Sequence, residues 1–123
     1  MRRILAVDDD KDILEVLQYI LEESGYEVET LSDGHYLFDR IRKHHPDLIL
    51  LDIMLGGLDG RELCKHIKGM KETHNIPVIM ISASHNVSDR VLQTNGGPDD
   101  FIAKPFDIDV LLHSVKARLN HAA

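Results

Sequence analysis

The chain has 123 residues, 43% of them hydrophobic and 28% charged, which suffices for one domain with its own core. A net charge of −7 excludes the basic surface of a nucleic-acid-binding domain, and no apolar run approaches the ~18 residues of a membrane span. Cys64 is the single cysteine, so an internal disulfide framework is excluded; with only a short apolar stretch behind Met1-Arg2-Arg3, no signal peptide is expected and the cytoplasm is the expected compartment.

Ile4-Leu5-Ala6-Val7 reads as a first buried strand, running into Asp8, Asp9 and Asp10. Ile13, Leu14, Val16, Leu17, Ile20 and Leu21 then repeat at helical spacing, with Asp10 or Asp12 as the cap and Ser24-Gly25 as the stop. Tyr26 to Leu31 alternates, as a less deeply buried strand does. Tyr36, Leu37, Phe38 and Ile41 predict a second helix, ended by His45-Pro46 because the residue before proline disfavours helix.

Leu48-Ile49-Leu50-Leu51 is a fully apolar strand that stops on Asp52. Asp59-Gly60 leads into a third helix through Leu63, Cys64 and Ile67. Val78-Ile79-Met80-Ile81 is a strand ending at Ser82, followed by a weaker helical pattern from Val87 to Thr94 and a break at Asn95-Gly96-Gly97-Pro98. Phe101-Ile102-Ala103 ends in Lys104-Pro105, a constrained turn that suits a cis peptide. A last helix starts near Asp107, its expected N-cap, and runs through Val110, Leu111, Val115 and Leu119. Five strands alternating with five helices, joined by loops of about two to six residues, predict a three-layer α/β sandwich around a parallel sheet. No repeat or linker interrupts residues 1–123, so one domain is expected.

In an open α/β sheet, ligands sit outside the carboxyl ends of the strands. Here those ends carry Asp8, Asp9, Asp52, Ser82 and Lys104. Two carboxylates about 4 Å apart repel by roughly 4 kcal/mol at an effective dielectric near 20, so gathering three demands a cation. Carboxylate oxygens suit Mg²⁺, which keeps several waters and needs only one or two protein carboxylates. Lys104 can reach a carboxylate at rest and a phosphoryl oxygen after transfer, and Ser82 offers a hydroxyl donor. A nucleophilic carboxylate, a divalent cation, an ammonium and a hydroxyl together serve phosphoryl transfer through an aspartyl-phosphate.

The segments VDDDKDI (7–13), LLDIML (50–55), VIMISA (78–83) and DDFIAKPF (99–106), in this order and spacing, closely resemble the CheY-like receiver domain of bacterial two-component response regulators. The resemblance implies a flavodoxin-like (βα)5 fold with a five-stranded parallel sheet. It implies that Asp52 accepts a phosphoryl group from a phosphohistidine on a sensor histidine kinase or phosphotransfer protein, and that the domain then acts on a downstream protein or linked output domain. Asp9 and Asp52 would bind Mg²⁺ directly, Asp8 through water, and the backbone carbonyl of Met54 would complete the shell. Ser82 stands at the switch hydroxyl and Phe101 at the switch aromatic. Such a domain promotes only its own phosphotransfer and dephosphorylation.

Departures from the family pattern are Gly56, where many relatives have proline, and Pro98, where a small residue is usual. Gly56-Gly57 predicts a more mobile loop after Asp52. The 87–94 helix, with few apolar contacts, is expected to be the least stable element. Two rivals are weaker. A haloacid-dehalogenase-class phosphotransferase needs an acid two residues after the nucleophile, where this chain has Met54. A phosphorylation-independent interaction module would not need every site position filled. The eight histidines form no metal motif; His85 alone is expected near the site mouth.

Overall fold

In the computed structural model, which describes residues 1–83 and 97–121, the strand ending at Asp52 is the middle of a five-stranded parallel sheet. The elements are β1 (Arg3–Val7), α1 (Lys11–Glu23), β2 (Glu27–Leu31), a 3₁₀ turn (Gly34–Tyr36), α2 (Leu37–Lys43), β3 (Leu48–Asp52), β4 (Met54–Leu55), β5 (Leu58–Asp59), α3 (Gly60–Gly69), β6 (Val78–Ser82), β7 (Asp100–Ala103) and α4 (Ile108–His121). The sheet order is β2-β1-β3-β6-β7, with every pairing parallel. This is the flavodoxin-like order, whose switch point lies between β1 and β3.

Strand side chains alternate between two cores. Leu5, Val7, Ile49, Leu51, Val78 and Met80 pack with Leu37 and Ile41 of α2 and with Cys64 and Ile67 of α3. Ile4, Ala6, Leu48, Leu50, Ile79 and Ile81 pack with Leu14, Leu17 and Leu21 of α1 and with Leu111, Val115 and Leu119 of α4. A strand covered on both faces has no polar side to show, which is why β3 and β6 read as continuous apolar runs.

Aspartates start three of the helices. The Asp10 side chain accepts from the Asp12 and Ile13 N–H groups, Asp59 from Arg61 N–H, and Asp107 from Asp109 and Val110 N–H. Each satisfies donors that a helix N-terminus leaves open. The Lys104–Pro105 peptide is cis.

One feature departs from the sequence reading. The Gly56-Gly57 segment is the turn of a two-stranded antiparallel hairpin, with Leu55 opposite Leu58 and Met54 opposite Asp59. Both glycines have positive φ, 49° and 95°, as a two-residue type I′ turn requires, and an L side chain resists that conformation. The pair therefore shapes a hairpin turn within the segment expected as a loop. The expected 87–94 helix, Asn95-Gly96 and His85 lie outside the described residues.

Candidate functional site

Three loops meet at the carboxyl ends of β1, β3 and β7. Asp8 follows β1 and is buried, 2% exposed, while Asp9 beside it is exposed. Consecutive residues leaving a strand face opposite ways, so one acid turns into the sheet end and the other to its mouth. Asp8 Oδ1 accepts from the Asp10 backbone N–H at 2.9 Å. Asp52 closes β3, also buried, and its carboxylate accepts from the Met54 backbone N–H. Carboxylate oxygens of Asp8, Asp9 and Asp52 all lie within 4.8 Å of one another.

Lys104 reaches this group from the far side of the sheet. Its backbone N–H donates to the Ser82 carbonyl at 2.8 Å, which carries the last β6–β7 contact past the strand end. Its ammonium donates to Asp8 Oδ2 at 2.8 Å and to Asp52 Oδ2 at 3.4 Å. One cation is thus shared unequally between two buried acids. Burial first and the Asp8 charge second push the Asp52 carboxyl up, Lys104 and the Met54 N–H offset only part of this, and the net value is about 6. Burial alone would lower the Lys104 ammonium; its bonds to Asp8 and Asp52 prevail and hold it above the ordinary lysine value.

The structure brings together Asp8, Asp9, Asp52 and Lys104, and places Ser82 at the end of the adjacent strand, buried. Met54 sits on the hairpin and is 73% exposed. Phe101 is partly buried on β7, packed against the core on the α2 and α3 side. An open recess of about 550 Å³ is lined by Asp9 together with Met54, Leu55, Gly56, Asp59 and Arg61, among others, so Asp9 is the acid of the cluster that faces it. Cys64 takes no part: it is buried under α3, and burial pushes its thiol up to about 11.

Gly60 is a site-shaping residue that its sequence context did not single out. Its N–H donates to the Ile53 carbonyl at 2.6 Å, and a Cβ there would overlap the Asp52 carbonyl oxygen and lie 2.9 Å from the Ile53 Cα. The start of α3 therefore presses directly on the backbone that presents Asp52. The signal available was Asp59-Gly60 at a helix start, which reads as an ordinary cap.

Comparison with known proteins agrees with this arrangement. Residues 4–116 match the response regulator receiver domain family. A putative response regulator from Chloroflexus aurantiacus J-10-fl is similar, at 34% identity and TM-score 0.88 over 97% of this chain and 98% of that one. A CheY-like receiver domain protein from Methanospirillum hungatei JF-1 matches at 33% identity and TM-score 0.89, covering 99% and 96%. NtrX from Brucella abortus matches at 37% identity and TM-score 0.86, covering 98% of this chain but 27% of that longer one.

Proposed function

The chain belongs to the response regulator receiver domain family of two-component systems, and from that premise we propose that Asp52 is its phosphoacceptor, charged by a phosphohistidine on a sensor histidine kinase or phosphotransfer protein. The observation that carries this reading is the position of Asp52: a buried carboxylate at the end of the central strand, with two further acids within 4.8 Å and an ammonium at 3.4 Å.

The donor set fits Mg²⁺. Three hard carboxylates lie together, only Asp8 and Asp52 bond the Lys104 ammonium, and burial with the Asp8 charge holds the Asp52 carboxyl up. Asp8, Asp9, Asp52 and the backbone carbonyl of Met54 would hold the ion, with Asp8 acting through water. When bound, it supplies charge neutralisation for the transferring phosphoryl oxygens.

The chain's own groups do the rest. The Asp52 carboxylate oxygen attacks phosphorus, the P–N bond of the donor breaks, and the imidazole leaves with the electron pair. Lys104 shifts from Asp52 to a phosphoryl oxygen. The Ser82 hydroxyl donates to another, and Phe101 turns into the space that Ser82 gives up. The repacked surface around β7 and α4 then engages a downstream protein or a linked output domain. Water later cleaves the aspartyl-phosphate, so the domain promotes only its own phosphorylation and dephosphorylation. A phosphorylation-independent module of this fold is the weaker reading, since it gives no reason to bury two mutually repelling acids.

Incubation with phosphoramidate and Mg²⁺, followed by peptide mapping, is expected to place a phosphoryl group on the peptide containing Asp52. Label confined to a histidine or serine peptide would refute the assignment.

A further inference from the structure

Lys104 and Phe101 reach their places only if β7 pairs with β6 in one register, and the opposite end of that strand carries two adjacent acids that could exchange positions. Asp99 and Asp100 project to opposite faces. The Asp99 backbone N–H donates to the Val78 carbonyl at 2.8 Å, and its carboxylate accepts from the Val78 N–H at 2.8 Å. That carboxylate stands in for a backbone acceptor at the point where Gly97-Pro98 brings the chain to the sheet. Lys68, in the last turn of α3, donates to the same carboxylate at 2.7 Å and to the Ile76 carbonyl at 2.9 Å, with only 14% of its side chain exposed. On the other face the buried Ser114 of α4 donates to Asp100 Oδ2, and Asp100 Oδ1 accepts from the Phe101 N–H.

Each acid is thus claimed by a different helix, Asp99 by α3 and Asp100 by α4. We propose that Lys68–Asp99 and Ser114–Asp100 form a register lock that positions Lys104 and Phe101 for the phosphorylation site. A slip of one residue would still offer a carboxylate at the start of the ladder. It would, however, turn Phe101 to the α4 side and put Asp100 rather than Asp99 in front of Lys68. The ammonium and the hydroxyl therefore add to the burial of Ile102 in selecting one register, at a ladder start that two neighbouring aspartates leave nearly equivalent. Lys68 and Ser114 are positioning residues: they touch no reacting atom and act through β7. The functional half of this inference rests on the reading of Asp52 given above.

The test combines amide exchange with labelling in Lys68→Met, in Lys68→Met with Ser114→Ala, and in Lys68→Arg. The Lys104 N–H, which donates to Ser82, should exchange at least about tenfold faster in the first two variants, while the β3 amides report any global loss of stability. Lys68→Arg should restore protection. Labelling by phosphoramidate should slow about fivefold in Lys68→Met but hardly further when Lys104→Ala is already present, because the lock acts through Lys104. Protection lost equally at Lys104 and β3, or labelling slowed equally in both backgrounds, would overturn the lock. Should the native chain take no label at all, the Asp52 reading fails and the exchange result alone decides the lock. If Lys68→Met does not fold, Asp99→Asn, which keeps an acceptor for Val78 while removing the charge, is measured in its place.

Discussion

Asp52 is held against its own ionisation. Its folded value of about 6 stands above the ordinary 3.8, because burial and Asp8 outweigh the distant side of Lys104. A raised folded value means that this group's contribution to stability is complete below about 3.8 and is lost as pH rises through about 6. The shift corresponds to about 3 kcal/mol. Asp52→Asn removes the titration while keeping the shape. In chelator it should be more stable than the native chain by about 2–3 kcal/mol at pH 7.5, with the difference closing near pH 4, as read by denaturant unfolding. Gly60 acts at the same scale. Gly60→Ala must push α3 off the Asp52 and Ile53 backbone, and a loss of about 2 kcal/mol with slower labelling is expected. Wild-type stability in that variant would show that the contact yields freely.

Among the elements, what could be read in advance followed from burial. β1, β3 and β6 lie between helical layers, so their apolar runs and terminal residues marked both the sheet and the acid cluster. The hairpin left no such trace, because two-residue strands are shorter than any hydrophobic period and Gly56-Gly57 fits a flexible loop equally well. The division of labour in Asp8-Asp9-Asp10 was legible only in part: Asp10 was one of two expected caps, while the burial of Asp8 and the exposure of Asp9 left no mark. Three consecutive acids differ only in the direction each faces, and the fold makes Asp8 the buried partner of Lys104, Asp9 the exposed one and Asp10 the cap. The hairpin makes its own prediction. Gly57→Ala, at φ 95°, should cost about 1 kcal/mol in thermal unfolding, and an unchanged melting temperature would mean that the positive φ is not needed.

At the scale of the whole molecule, two cores clamp one sheet, and the carboxyl ends of its strands gather three acids and the Lys104 ammonium, with Ser82 at the end of the adjacent strand. No described helix is long and apolar enough to cross a membrane. The same unit accounts for nearly the full length of the Chloroflexus relative and about a quarter of NtrX, so the receiver fold serves chains of very different size. Mg²⁺ bound only by the folded state should stabilise it, by about 2.7 kcal/mol at a hundredfold excess over Kd. The melting temperature should rise on adding Mg²⁺ and fall back with chelator, and Asp9→Asn should blunt the response.

The most direct measurement is the rate of covalent labelling by phosphoramidate in the native chain and in Asp52→Asn, each with Mg²⁺ and with chelator. Label in the native chain with Mg²⁺, and in none of the other three conditions, is the predicted result. Label that persists in Asp52→Asn, or that ignores Mg²⁺, would contradict the assignment of Asp52 as a metal-assisted phosphoacceptor.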